Sequence, residues 1–180
     1  MSDFQKALDL ICKKATNTTE LGTAFEKLCK VSLENDATQV EQYSEIWHYS
    51  DWPKQHDGYG LKDIGINLVA KFRYENSYCA ILCKCYQPEH VISKEDLDSF
   101  ISASATKDFD RPLLIDTSTQ SIGSNALSVF DNLNQDYTRI HLSKLEQSRI
   151  VWLAYNREDR VRLHSQKAMR AFLYFLDRRP

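Results

Sequence analysis

The sequence predicts an α/β domain with a mixed central sheet flanked by helices. Two observations lead to this prediction. Short apolar strand patterns alternate with amphipathic helix patterns, and the segment over 86–111 is long enough to hold a crossover helix. The 180 residues can bury a core of their own, and 42% hydrophobic with 27% charged residues is an ordinary globular composition.

The elements follow from hydrophobic periodicity, with a period near 3.6 for helices and 2 for strands. In chain order, the predicted elements are a helix over 3–14, a helix over 20–34, a strand over 43–53, two strands within 63–86, a helix over 93–104, a strand over 111–116, a helix over 124–133 and a strand over 138–142. The strand over 111–116 is apolar throughout its centre, which is typical of a strand buried on both faces.

Capping residues support two of these helices. The pair Thr18–Thr19 precedes the second helix, and Ser93 precedes the third, whose Asp96 suits the positive end of a helix. In the second helix Glu26 lies off the apolar stripe, a position that normally faces solvent.

The composition restricts the class of protein. No apolar run approaches the roughly 20 residues of a membrane span, and the amphipathic start is acidic at Asp3, unlike a secretory signal. Five cysteines without a Cys-x-x-Cys pair suggest reduced thiols, so we expect a cytoplasmic protein. Cys79, Cys83 and Cys85 share one strand face, where a soft-metal site or buried core thiols would fit. Core thiols are favoured, because no histidine stands at ligand spacing.

Charge is unevenly distributed along the chain. Residues 149–180 hold eight Lys and Arg against three Asp and Glu, for a net charge of +5, which leaves −7 on the rest. A basic segment on an acidic body can attract a phosphate backbone, although a solvated helix face is the commoner explanation.

The strand pair within 63–86, "DIGINLVAKFRYENSYCAILCKCY", carries two polar residues in apolar surroundings. Alternation places Lys84 on one face with Leu82, and places Asn67 on the face opposite to Ile66 and Leu68. A lysine in a mostly buried strand either extends past the strand end or meets an anion such as a phosphate.

This segment resembles the signature of Mrr-like restriction endonucleases in the PD-(D/E)XK nuclease superfamily, roughly Gly-Ile-Asp-Leu-Val-Ala, a turn, then Ile-Gln-Cys-Lys-x-Tyr. The chain is similar more closely to the N-terminal nuclease module of type ISP restriction enzymes and their helicase-bearing relatives. The segments "FEKLC", "SDWP", "KEDLDSFISAS", "DTSTQSIGSNA" and "LSKLEQSRIVW" occur in that order, and the similarity runs from about residue 20 to residue 155. It implies a restriction-endonuclease-like mixed sheet.

The resemblance implies a catalytic site. Lys84 matches the family lysine that activates water and stabilises charge on the phosphate, and Glu26 matches the glutamate of the first core helix. Asn67 stands where the family has a metal-binding aspartate, and Leu82 stands at the Gln position. The implied cofactor is Mg²⁺, with Mn²⁺ able to replace it, and the implied metal ligands are Glu26, Asn67 and Asp63.

Three explanations for Asn67 stay open. It is an engineered inactivating substitution, a natural loss of catalysis, or part of a metal site rebuilt around Asp63. Mg²⁺ prefers carboxylate oxygens in near-octahedral geometry, and an asparagine offers only a neutral carbonyl.

The implied partner is double-stranded DNA, bound through phosphate contacts from Lys84, Lys62, Lys71 and Arg73. No base-reading motif is visible, so we expect low sequence specificity. The leading hypothesis is a Mg²⁺-dependent DNA endonuclease, weakened or inactive because of Asn67 and Leu82. The rival is a catalytically silent nuclease fold that binds DNA or protein.

The C-terminal part is predicted to be separate from the nuclease domain at 1–155. Residues 156–180 form a basic helical extension that resembles the lead-in to the helicase motor of the type ISP relatives. The sequence holds no Gly-Lys-Thr/Ser phosphate loop, so no ATP cofactor is predicted. Without a motor beside it, the apolar stripe from Met169 to Phe175 would be exposed, which predicts a homodimer or a protein partner.

Overall fold

The computed structural model describes residues 2–54, 65–106, 108–132 and 136–147. Within these ranges five strands form one sheet in the order β1-β2-β3-β4-β5. The strands are β1 Tyr43–His48, β2 Leu68–Phe72, β3 Tyr78–Lys84, β4 Leu113–Asp116 and β5 Thr138–Ile140.

The sheet is mixed. β2 pairs antiparallel with both β1 and β3, whereas β3–β4 and β4–β5 are parallel. In the register of the central strands, Leu68 lies opposite Ile81, and Lys84 lies beside Asp116. The predicted α/β class with a mixed sheet is confirmed.

Helices connect and cover the strands. They are α1 Asp3–Lys14, α2 Thr18–Asn35, α3 Ala37–Gln42, α4 Asp98–Ser104, α5 Ser124–Asn132 and α6 Leu142–Glu146. α4 lies in the connection between the parallel strands β3 and β4, as the sequence predicted. Among the described residues, no helix is both long and apolar enough to cross a membrane.

The sheet separates two apolar clusters. On one face, α1 and α2 pack Phe4, Phe25 and Leu28 against alternate strand residues such as Leu68 and Ile81. On the other face, residues from α4 and α5 join the strand residues of opposite parity. That second cluster includes Val69, Ala80, Leu82, Leu97, Phe100, Leu114 and Ala126. Helices on both faces therefore bury the sheet from both sides.

The helix boundaries differ from the prediction in two places. Asn17, not the pair Thr18–Thr19, caps α2, because its side chain accepts from the Glu20 amide at 2.9 Å. The short helix α3 was not predicted. Asp36 ends α2 and starts α3, since its Oδ1 accepts from the Thr38 amide at 3.0 Å.

Two further elements, β1 and α4, are shorter than predicted. β1 ends at His48 and a 3₁₀ turn follows over Tyr49–Asp51, so the strand does not continue to Pro53. α4 begins at Asp98 rather than after Ser93. Ser93 still acts as a cap-like residue: its amide donates to Asp96 Oδ2 at 2.9 Å, and the Asp96 amide donates to Ser93 Oγ at 3.4 Å.

The predicted alternation at the start of β2 is wrong. Ile66 packs with Val69 in the second cluster, while Leu68 belongs to the first. Gly65 precedes this change with a φ of 86°. A Cβ there would lie 2.7 Å from the Phe100 amide nitrogen, so the tight entry into β2 requires glycine.

Candidate active site

α2 holds Glu26 against the sheet. Its neighbour Phe25 is fully buried, and this anchors the helix turn on the first apolar cluster. The Glu26 side chain is 20% exposed rather than facing solvent, and it reaches the ends of β1 and β2. The expected solvent position is therefore wrong, because α2 packs close to the sheet edge at this turn.

His48, the last residue of β1, is the first partner of Glu26. Its Nδ1 lies 2.5 Å from Glu26 Oε1, and its side chain is 28% exposed. Sequence reasoning missed this residue. The available signal was strand alternation, since His48 follows the half-buried Ile46 by two positions and so shares its face toward α2.

Asn67 joins three elements. Its Nδ2 donates to Glu26 Oε2 at 3.3 Å, and its Oδ1 accepts from the Cys83 amide of β3 at 2.8 Å. Its own backbone amide donates to the Ile81 carbonyl, and its carbonyl accepts from the Tyr49 amide, both at 2.9 Å. Glu26, His48 and Asn67 form a contiguous set, here called the Glu26 cluster.

Lys84 follows directly after the strand residue that Asn67 contacts. It is the half-buried last residue of β3, in register with Asp116 of β4. Within the described part of the chain, its ammonium makes no hydrogen bond or ion pair that would neutralise it. The lysine is thus available to an anion at this end of the sheet.

The carboxylate beside Lys84 is already committed. Asp116 is fully buried, and Arg139 of β5 donates to it through Nε at 2.7 Å and Nη2 at 2.9 Å. The Ser118 amide adds a third hydrogen bond at 2.9 Å. A bidentate pair of this kind fixes the geometry of both partners and leaves Asp116 little capacity for a further cation.

Leu82 adds no polar atom to this site. It is 3% exposed and packs in the second apolar cluster. Where the family pattern has Gln, this chain therefore has a leucine that packs in the core.

The predicted DNA contacts lie elsewhere or outside the described residues. Arg73 follows the far end of β2, about 20 Å along the strand from Asn67 at 3.3 Å per residue. Its Nη2 donates to the carbonyls of Val40 at 2.6 Å and Tyr43 at 2.7 Å. Lys71 is half-exposed between β1 and β3.

Several predicted residues cannot be placed in this site. Lys62 and Asp63 lie outside the described residues, and so does the C-terminal extension over 156–180. Their predicted roles stay predictions.

The described residues do not fit a Mg²⁺ site. They hold no group of three or more His, Cys, Asp or Glu side chains that could bind a metal ion. Glu26 is the one carboxylate of the Glu26 cluster, and the oxygen of Asn67 is occupied by the Cys83 amide. Mg²⁺ requires several oxygen ligands, so this set lacks donors for it.

The strand cysteines contribute to the first apolar cluster. Cys79 and Cys83 are buried, as the favoured interpretation predicted, and Cys85 is half-buried. Burial raises the pKa of Cys79 to about 12 and that of Cys85 to about 11. Both thiols therefore stay protonated at neutral pH, as expected of thiols packed in a core.

Comparisons with known proteins agree with this fold. A family model described as "Restriction endonuclease", of the Mrr catalytic type, matches residues 34–161. The solved structure of the ATP-dependent Type ISP restriction-modification enzyme LlaBIII bound to DNA is similar, with 28% identity and a TM-score of 0.68. The match covers 86% of this chain and 9% of LlaBIII, so the chain corresponds to a small part of that enzyme.

A second solved structure is more distant. The MspJI restriction endonuclease in complex with a 27-mer oligonucleotide has 14% identity and a TM-score of 0.46, over 79% of this chain and 30% of that one. A comparison with curated proteins found no match. The resemblance to Mrr-like and type ISP nucleases stated from the sequence is confirmed by the family model and LlaBIII.

Proposed function

Because the chain belongs to the restriction endonuclease family of the Mrr type, we propose that it is a metal-dependent DNA endonuclease that hydrolyses phosphodiester bonds. One observation carries the proposal. Asn67 contacts Glu26 through one end of its side chain and the Cys83 amide, next to Lys84, through the other. This connection supports the proposal that Glu26, Asn67 and Lys84, far apart in sequence, act at the same end of the sheet.

The proposed role of Lys84 is to hold the scissile phosphate. Its ammonium has no counter-ion among the described residues, while the adjacent Asp116 is committed to Arg139. An unpaired, half-buried cation binds a phosphate oxygen more strongly than a fully solvated one, because fewer water molecules screen it. As the transition state gains charge, Lys84 would stabilise it electrostatically.

Glu26 is the proposed carboxylate of the site, and Asn67 orients it. With Nδ2 on Oε2, Asn67 restricts rotation of the carboxylate while His48 contacts the other oxygen. Metal dependence in this proposal rests on the family, with Mg²⁺ the expected ion and Asp63 the expected further ligand.

The proposed substrate is double-stranded DNA, with little sequence specificity. The similar LlaBIII structure is an enzyme bound to DNA, which supports this choice. Lys62 and Lys71 are proposed phosphate contacts. Arg73 already donates to the Val40 and Tyr43 carbonyls, so it would contact phosphate through its remaining N–H groups. The proposal also includes a cytoplasmic location, with residues 156–180 as the proposed surface for a second copy or a protein partner.

A plasmid-nicking assay tests the proposal. Supercoiled DNA is incubated with the chain in Mg²⁺, Mn²⁺ or EDTA, and the same reactions are run with Lys84→Ala. We expect cleavage that requires a divalent ion and falls at least 100-fold in Lys84→Ala, about 2.7 kcal/mol of transition-state stabilisation. Cleavage that persists in EDTA, or is equal in Lys84→Ala, contradicts the proposal.

A second candidate function is a silent nuclease fold that binds DNA or protein. Asn67 and Leu82 favour it, because neither supplies the charged oxygen that the family pattern has at these positions. Asn67→Asp separates the two functions. If the unchanged chain does not cleave and Asn67→Asp does, the chain is a binding module with a disabled site.

A further inference from the structure

Thr117, the first residue after β4, is buried and bonds to the chain that leaves β3. Its hydroxyl pairs with both backbone groups of Tyr86, the second residue after Lys84. We propose that Thr117 is a positioning residue for Lys84: by holding the chain next to the lysine, it directs the ammonium at the scissile phosphate. The inference rests on the proposed function and gives a role in it to a residue outside the Glu26 cluster.

β3 and β4 end together, and their chains then separate. The parallel ladder stops where Lys84 lies in register with Asp116. The chain after Lys84 enters the crossover that contains α4, so beyond the ladder its backbone groups need other partners. Because Lys84 is the last residue of the ladder, the direction of its side chain depends on how firmly the following residues are held.

Thr117 supplies the missing partners from the adjacent chain. Its amide donates to the Lys84 carbonyl at 3.3 Å. Its Oγ1 accepts from the Tyr86 amide at 2.8 Å and donates to the Tyr86 carbonyl at 2.6 Å. A hydroxyl can do both, because it carries one proton and two lone pairs. One side chain therefore continues the pairing of β3 past its last residue, as a neighbouring strand would.

The residues on both sides of Thr117 are themselves fixed. Asp116 is fully buried and receives two hydrogen bonds from Arg139. Ser118 is also fully buried, and its Oγ donates to the His90 carbonyl at 2.5 Å. The Thr117 hydroxyl thus extends from a rigid segment, so it can restrain the opposing chain rather than move with it.

Lys84 depends on its backbone for its position. Its ammonium makes no hydrogen bond or ion pair with the residues that the structure describes. A lysine ammonium stands on a flexible four-carbon stem, so without a partner at its tip only the backbone limits where it lies. A shift of about 1 Å in a positioned group can slow a reaction about 100-fold. Loosening the chain after Lys84 should therefore slow the proposed reaction although the lysine remains.

Ser118 offers a matched control. Its hydroxyl also joins the two chains that leave β3 and β4, since it donates to the His90 carbonyl and accepts from the Gln120 amide at 2.9 Å. It does not bond to the residues next to Lys84. Ser118→Ala therefore removes one buried hydroxyl bridge between these chains, and we expect it to lower stability while leaving the action of Lys84 unchanged.

The experiment is a double-mutant cycle between positions 117 and 84. Single-turnover nicking of supercoiled DNA at saturating protein is measured for the unchanged chain, Thr117→Val, Thr117→Ser and Ser118→Ala. Valine has the shape of threonine without the hydroxyl, and serine keeps the hydroxyl. We expect Thr117→Val to slow cleavage about 10-fold, with Thr117→Ser and Ser118→Ala within about 2-fold of the unchanged chain. In a Lys84→Ala background, Thr117→Val should cause no further loss, because no lysine is left to position.

Four results would overturn the inference. They are a Thr117→Val variant as fast as the unchanged chain, a Thr117→Ser variant as slow as Thr117→Val, an equal loss in Ser118→Ala, and an equal loss in the Lys84→Ala background. Circular dichroism establishes that each variant is folded at the assay temperature. If Thr117→Val is not, Thr117→Cys replaces it, because a thiol is a weak donor and should slow cleavage more than Thr117→Ser does.

The same cycle measured in DNA affinity separates this inference from the proposed function. Fluorescence anisotropy of a labelled duplex in EDTA gives the affinities without cleavage. A chain that binds DNA through Lys84 and does not cleave it rejects the proposed function. The inference is then supported if Thr117→Val weakens binding only when Lys84 is present, and rejected if binding is unchanged or weakens equally in both backgrounds. Cleavage that requires Lys84 but ignores Thr117→Val rejects this inference alone.

Discussion

Two polar groups at the sheet ends differ in how completely they are satisfied. Asp116 is fully buried, and Arg139, 16% exposed, donates two hydrogen bonds to it. The Glu26 cluster is more open, and Glu26 receives one side-chain amide at 3.3 Å and faces one imidazole. The charge of Asp116 is neutralised by Arg139. The carboxylate of Glu26 has only an amide and an imidazole as partners.

Under the proposed function, this difference separates a structural group from the proposed functional one. Asp116 is a buried charge whose acceptors are taken by hydrogen bonds from the protein. Its pair with Arg139 fixes the packing of β4 against β5 and leaves no acceptor for a ligand. A partly exposed carboxylate whose partners are an imidazole and a side-chain amide, rather than an arginine, keeps more capacity to accept a ligand. Mutations should therefore affect stability at Asp116 and function at the Glu26 cluster.

The largest expected effect is on stability, from Asp116→Asn. The change removes the negative charge opposite Arg139 and turns one acceptor into a donor that faces the guanidinium. Removing one partner of a buried ion pair costs about 3–5 kcal/mol. Urea denaturation followed by circular dichroism measures the change in the free energy of unfolding.

Asp98→Asn is the control for that measurement. Asp98, the first residue of α4, pairs with Lys94 four residues earlier in the chain, and both side chains are 47% exposed. Because solvent and salt screen an exposed pair of this spacing, Asp98→Asn should change the free energy of unfolding far less than Asp116→Asn. Similar losses of stability in the two variants would show that the buried Asp116–Arg139 pair stabilises the fold no more than an exposed pair does.

An intermediate effect is expected from Asn67→Asp. The new carboxylate faces Glu26 Oε2, where the Asn67 amide now donates at 3.3 Å. Losing this hydrogen bond and adding a like charge should lower the free energy of unfolding by about 1–2 kcal/mol without metal. With millimolar Mg²⁺ the loss should shrink, because an ion that binds only the folded state stabilises it. Thermal unfolding with and without Mg²⁺ measures both effects.

Asn35→Asp provides the matching control. Asn35 ends α2, where its side-chain amide donates to the Val31 carbonyl at 2.8 Å. The change adds the same charge to α2, the helix that carries Glu26, about 13 Å along the axis from that residue at 1.5 Å per residue. Its melting temperature should not respond to Mg²⁺. A Mg²⁺ response of equal size in both variants would mean that the ion acts on net charge and not at the Glu26 cluster.

The sequence predicted the strand pair, and the position of Lys84 at the end of β3, correctly because both depend on local periodicity. The turn after β2 and the apolar run of β3 are visible in adjacent residues, and the resemblance drew attention to Lys84. His48 could not be found in this way. Its contact with Glu26 spans 22 positions and depends on how closely α2 packs on the end of β1, a tertiary distance that no local pattern encodes.

Asn67 shows a different limit of the sequence. From the family resemblance, Asn67 is only a residue that replaces a metal-binding aspartate. Its hydrogen bonds to Cys83 and Glu26 also give it a structural role between β3 and α2. Alternation failed at the same place, because Gly65 at a positive φ lets Ile66 turn to the second cluster before the strand begins.

The smallest effect on stability is expected at Lys84. This residue lies in register with Asp116 and directly follows Cys83, whose amide donates to Asn67. Lys84→Gln should change the free energy of unfolding by less than about 0.5 kcal/mol, since no described residue pairs with its charge. DNA affinity should fall, and the slope of log affinity against log salt should decrease by about 1, the value for one lost phosphate contact. Lys94→Gln, whose charge is already paired with Asp98, should leave that slope unchanged. Fluorescence anisotropy of a labelled duplex over a salt series, in EDTA to prevent cleavage, measures both variants. An unchanged slope in Lys84→Gln would remove this lysine from the DNA interface.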